Sequence, residues 1–136
     1  MSETLSKQRL TTLPVKIMTD SILLTVKSIL GLEPEYTPFD AEIIFDINTV
    51  LAKLTQAGIG PREGFQIEDS TATWTQFVGT DPRLNMVKTY TAMDVRLLFD
   101  PPQSSAAMEN LKAQIQEYIY RMNIHEEIVT QLDGGG

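Results

Sequence analysis

The sequence predicts a mainly α-helical protein: a small four-helix domain with a long C-terminal helical hairpin and a short extended connector. Three observations carry this reading. Apolar residues recur at helical spacing in four separate stretches, the last two stretches flank a double proline, and the period breaks only between Gly58 and Thr80.

The hairpin is the clearest part. Leu84, Val87, Tyr90, Leu97 and Leu98 share one face of a helix, with Asp81 and Pro82 suited to its N-cap and first position. Pro101 biases Asp100 away from helical geometry and Pro102 removes another backbone donor, so this helix is expected to stop near Phe99. A second helix can start at Ser104 or Ser105, carrying Met108, Leu111, Ile115, Tyr118, Ile119 and Met122 on one face and the charge pairs Glu109–Lys112 and Glu117–Arg121 on the other. The stiff joint predicts antiparallel packing, with Leu97, Leu98 and Phe99 sealing the joint against the core.

From the start of the chain, residues 1–19 form an N-terminal arm or tail: polar and aperiodic to Thr12, then the apolar run Leu13-Pro14-Val15-Lys16-Ile17-Met18. Two readings fit, a docked tail or an arm that reaches a neighbouring subunit. Residues 20–128 make up the helical domain. Asp20 or Ser21 can cap a short helix in which Ile22, Leu23, Val26, Ile29 and Leu30 are apolar, and Gly31 suits the left-handed position that ends it. Thr37-Pro38 offers a cap and a first-turn proline to the next helix, whose buried stripe is Ile43, Ile47, Val50, Leu51 and Leu54. Asp40, Glu42 and Asp46 put negative charge near its N-terminal end, and Gly58 closes it.

In the connector, Gly58 to Gly64 is turn chemistry, Phe65-Gln66-Ile67 alternates like a short strand or extended segment, and Trp74, Phe77 and Val78 share one side of a single helical turn ended by Gly79. Burial of Trp74 alone can contribute on the order of 2–3 kcal/mol, which predicts that the connector folds back as a lid. Phe65, Ile67, Trp74 and Phe77 are candidate subunit or core contacts. Helical patterning fades after Ile128, leaving residues 129–136 as a flexible C-terminal tail that ends in three glycines. Val129 and Leu132 are its candidate anchors for docking.

Composition narrows the function classes. The 136 residues suit one domain, and the chain has no cysteine, so disulfides, thiolate chemistry and cysteine-bound metals are out. No apolar run approaches a membrane span, and no apolar block behind the N-terminal basic residues reads as a signal peptide; a soluble, cytoplasmic protein is the default expectation. The net charge is −7. Residues 1–31 carry +2, from Lys7, Arg9, Lys16 and Lys27 against Glu3 and Asp20, so the remainder carries −9. Such a body repels nucleic acid phosphates and speaks against sequence-specific DNA binding.

Catalytic chemistry is thin. His125 is the single histidine, beside Glu126 and Glu127 near a helix end. Glu42 and Asp46 share a helix face, but no second carboxylate cluster supplies the other half of a site. Gly-Ile-Gly-Pro-Arg-Glu-Gly over residues 58–64 lacks the Gly-Lys-Ser/Thr ending of a phosphate loop. No catalytic residue, metal or cofactor is therefore assigned.

The order of segments does resemble a known family. The run from Ser21 to Gly31, Tyr36-Thr37-Pro38-Phe39-Asp40, Gly58-Ile59-Gly60-Pro61-Arg62-Glu63-Gly64-Phe65, Ala72-Thr73-Trp74, Val87-Lys88-Thr89-Tyr90 and Leu97-Leu98-Phe99-Asp100-Pro101-Pro102-Gln103-Ser104-Ser105 follow one another as in head-tail connector (adaptor) proteins of long-tailed phages and prophages. The resemblance covers about residues 20–125. It implies a mostly helical, non-enzymatic subunit of the virion neck, assembled in the host bacterial cytoplasm as a ring beneath the portal, in twelve copies to match the portal's symmetry. The implied partners are itself, the portal protein, a downstream neck or tail-completion protein, and double-stranded DNA that passes through without sequence-specific binding; no membrane is involved. Two alternatives stand beside it: another neck or tail-completion structural protein, and a small helical regulator or carboxylate enzyme.

Overall fold

The computed structural model describes the backbone of residues 20–135 and the side chains of residues 20–122. Among these residues the elements are α1 (Ile22–Ile29), α2 (Asp40–Gln56), the short α3 (Trp74–Val78), α4 (Leu84–Phe99) and α5 (Ser105–Gly135), with no strand. The expected architecture is thus present: four main helices, a connector containing one helical turn, and a C-terminal hairpin. The arm, residues 1–19, lies outside the described residues, as do the side chains of His125, Val129 and Leu132.

The core forms where the apolar stripes of α1, α2 and α4 meet. α2 contributes all five predicted residues, each at most 2% exposed. α1 adds Ile22, Leu23 and Val26, and α4 adds Val87, Tyr90 and Val95. α5 closes one side through Ile115 and Met122, with Leu111, Tyr118 and Ile119 partly buried. Two predicted core positions turn outward. Ile29, the last residue of α1, is exposed because the chain turns away at Gly31. Leu98 is also exposed, while Leu97 and Phe99 are partly buried; Leu98 is in register with Val87, Thr91, Asp94 and Val95 but stands in the last turn of α4, past the covered part of that face.

The helix ends show which local signals prevailed. Ser21 caps α1 by accepting from the Leu24 N–H at 3.2 Å, and Ser104 accepts from the Ala107 N–H at 3.1 Å ahead of α5. The other two starts differ from expectation. α2 begins at Asp40 rather than Pro38, because Thr37 to Asp40 closes a turn through the Asp40 N–H and the Thr37 carbonyl at 3.1 Å. α4 begins at Leu84 rather than Pro82. The Asp81 carboxylate accepts from the Arg83 N–H at 2.8 Å and pairs with the Arg83 guanidinium at 2.8 Å, a local turn that takes the oxygens a cap would use. At the other end, α5 runs helical through Gly135, past the point where its apolar pattern fades.

Candidate functional site

The connector is held down by groups that sequence patterning does not reveal. Asn48 of α2 acts on Ile67 as a neighbouring strand would: its side-chain amide donates to the Ile67 carbonyl at 3.0 Å and its oxygen accepts from the Ile67 N–H at 2.8 Å. Residues 65–67 are extended without forming a strand. The Thr73 side chain caps α3, and Gln76 reaches back to the Thr73 N–H at 3.0 Å, a reciprocal capping box. Trp74 is fully buried, and its indole N–H donates to Thr25 Oγ1 at 3.1 Å, tying α3 to α1. Ser21 donates to the Ser70 carbonyl at 2.8 Å and forms an antiparallel bridge with Thr73.

Of the four candidate contact residues, Ile67, Trp74 and Phe77 are thus buried in the core of the chain itself. Phe65 is partly buried, with its ring centroid 5.4 Å from that of Phe77. Beside Phe65 lies a shallow groove of about 510 Å³ between α2 and residues 63–66, walled by Asn48, Ala52, Thr55 and Gln56.

Three aromatic rings meet at the opposite end of α2. Phe39 lies 5.9 Å from Tyr36 and 5.5 Å from Phe99, centroid to centroid, the second pair edge to face. Tyr36 and Phe39 are 45% and 41% exposed, and Leu98, next to Phe99 in the chain, is 46% exposed. Contiguous exposed apolar surface of this kind marks interaction sites. Under it, Lys27 is 1% exposed, with Nζ donating to the carbonyls of Pro34 and Tyr36 at 2.9 and 2.7 Å and pairing with Asp40 at 2.8 Å. Two carbonyls take hydrogen bonds from it and Asp40 supplies the counter-charge, so one buried ammonium fixes the loop that presents Tyr36 and Phe39. Sequence reasoning missed this surface; two aromatics flanking Thr37-Pro38 in a loop too polar to bury them were the available signal.

The titratable groups serve the fold. Asp94 is 3% exposed, accepts from the Tyr90 hydroxyl at 2.8 Å and pairs with Lys53 at 3.1 Å. Burial, then the adjacent Asp94 charge, pushes the Tyr90 hydroxyl well above the usual tyrosine range. Of the α2 carboxylates, Asp40 belongs to Lys27, while Asp46 titrates above its ordinary value through partial burial and then the neighbouring Glu42. On the connector, hydrogen bonds from the Thr71 side chain and backbone lower the Asp69 carboxyl. Among the described residues no group of three or more histidine, aspartate or glutamate side chains could hold a metal, and no helix is long and apolar enough to cross a membrane.

What the geometry offers is a helical body, a cluster of partly exposed aromatic rings and a long terminal helix, the parts of an assembly subunit. Comparison with known proteins agrees. No curated protein and no solved structure matches the chain. Residues 22–129, however, match the family described as phage connector protein, a span that contains the whole core and the double-proline joint. The chain belongs to the phage connector protein family, the structural connectors between phage head and tail.

Proposed function

We propose that the chain is a ring-forming head-tail connector that sits beneath the portal, joins the DNA-filled head to the tail and lines part of the channel through which DNA passes. The observation that carries this reading is the family match across residues 22–129. The role is structural and needs no catalytic residue or cofactor. The partners are further copies of the chain, the portal on one side and a neck or tail-completion protein on the other; the site of action is the virion neck. A negative lumen would let a duplex pass without sticking, and a body with nine net negative charges beyond residue 31 is suited to that.

Reconstitution tests the placement. Purified chain mixed with its portal is expected to form a closed ring, twelve-fold if it follows the portal, visible by electron microscopy; binding to tail-completion protein with none to portal would move the chain lower in the neck. The end of α5 is the proposed portal-docking element, with Val129 and Leu132 as its apolar anchors. Truncation after Ile128 is expected to leave folding unchanged and abolish portal binding, whereas normal joining of heads to tails by the truncated protein would exclude this role.

A further inference from the structure

The aromatic surface of Tyr36, Phe39 and Phe99 faces solvent in a single copy of the chain. We infer that it receives the N-terminal arm, residues 1–19, of a second copy. The inference rests on the ring reading above and supplies one of its subunit contacts.

Charge is the first argument. The segments that build the surface present Glu33, Glu35, Glu42 and Asp100 as exposed carboxylates against the single exposed cation Arg96, since Lys27 is consumed internally by Asp40. The arm has the opposite sign, with Lys7, Arg9 and Lys16 against Glu3. Opposed fields of this kind steer encounter and fix which surfaces meet. Chemistry is the second. The arm holds the apolar run from Leu13 to Met18, whose Pro14 is the residue type that docks on aromatic rings. The receiving surface offers three such rings and Leu98, with Tyr36, Phe39 and Leu98 each more than two-fifths exposed.

Position is the third argument. The arm joins the described chain at Asp20, which accepts from the Thr75 hydroxyl at 3.1 Å beside the first turn of α1. The aromatic surface begins beyond the last turn of the same helix, whose eight residues span about 12 Å. Donor and receiver therefore sit at opposite ends of α1, as two separate patches of the subunit. A contact between unlike ends of two copies is head-to-tail, the type that closes a ring when the rotation between neighbours allows. Fully extended, the five residue steps from Val15 to Asp20 reach about 17 Å, so the chain's own arm is the rival occupant.

Because the chain has no cysteine, a cross-link can be placed at will. Full-length V15C and Y36C chains are mixed and oxidised, and the products are resolved without reductant, with light scattering followed in parallel. The expected result is a V15C–Y36C heterodimer well above the self-linked products of either chain alone. Adding Ile17→Asp to the V15C chain should reduce it by about tenfold or more, the loss of one buried aliphatic contact, without changing the circular dichroism of the body. A V15C/Y36C double variant that links within one chain and runs as a monomer would assign the surface to the chain's own arm and overturn the inference. Rings that form without any such cross-link would overturn it and leave the ring reading standing. Monomers without cross-links, with portal present as well as without it, would remove both.

Discussion

At the scale of single residues, the groups hardest to replace are polar. Lys27 sits where an apolar side chain would be expected, and its ammonium has no water to fall back on. Lys27→Ala is expected to cost about 3 kcal/mol or more in chemical denaturation, because it opens a cavity, strips two carbonyls of their donor and leaves Asp40 without its counter-charge. Tyr90 makes a prediction in pH. Its hydroxyl is raised in the folded chain, so the neutral form is the one the fold holds. That stabilisation is complete below the unfolded tyrosine value of about 10 and is lost as pH rises beyond it. Stability of the native chain should therefore fall from about pH 10 upward more steeply than that of Tyr90→Phe, measured as the difference between the two denaturation midpoints. At neutral pH the same substitution should cost about 1–2 kcal/mol, since the buried Asp94 loses a donor.

At the scale of elements, the buried face of α2 was wholly legible: a stripe of Ile43, Ile47, Val50, Leu51 and Leu54 at helical spacing has one physical solution, and all five are buried. Ile47→Ala should cost about 2–5 kcal/mol. In α4 the buried face was legible but not how far along the helix it is covered. Leu98 is in register with buried Val87, Thr91 and Asp94, the two polar residues being satisfied by the Val87 carbonyl, Tyr90 and Lys53, yet it stands exposed in the last turn. Leu98→Ala is accordingly expected to cost less than about 1 kcal/mol. The starts of α2 and α4 were misplaced because Asp and Thr beside proline serve turns as readily as caps. The aromatic surface was illegible since helical periodicity says nothing of loops, and the Asn48 clasp on Ile67 depends on a contact across nineteen positions. The connector's tightest point is Gly60, at φ +84° and facing the Phe77 ring, with Cδ1 2.9 Å from where a Cβ would stand. Gly60→Ala should cost about 2 kcal/mol or more, through both strain and overpacking, while Gly64→Ala, which meets no atom, should cost less.

At the scale of the whole molecule, the connector fastens the first helix to the middle of the chain. Ser21 to Ser70 and Trp74 to Thr25 each bridge forty-nine positions. The single tryptophan is fully buried at that junction, so its fluorescence should change in one step with the loss of helical circular dichroism. An earlier fluorescence transition would show that the connector opens before the helices melt. The hairpin has a different consequence. α4 has 16 residues and α5 has 31, so the two helices are about 24 and 46 Å long. The longer one is a lever, and the double proline is its mount. A tilt of about 10° at the mount swings the far tip through roughly 8 Å, a displacement comparable to the spacing of two packed helices. Aim at the tip is therefore set from a distance, by two prolines that leave the backbone little room to turn and by the packing of Ile115 and Met122 on the core.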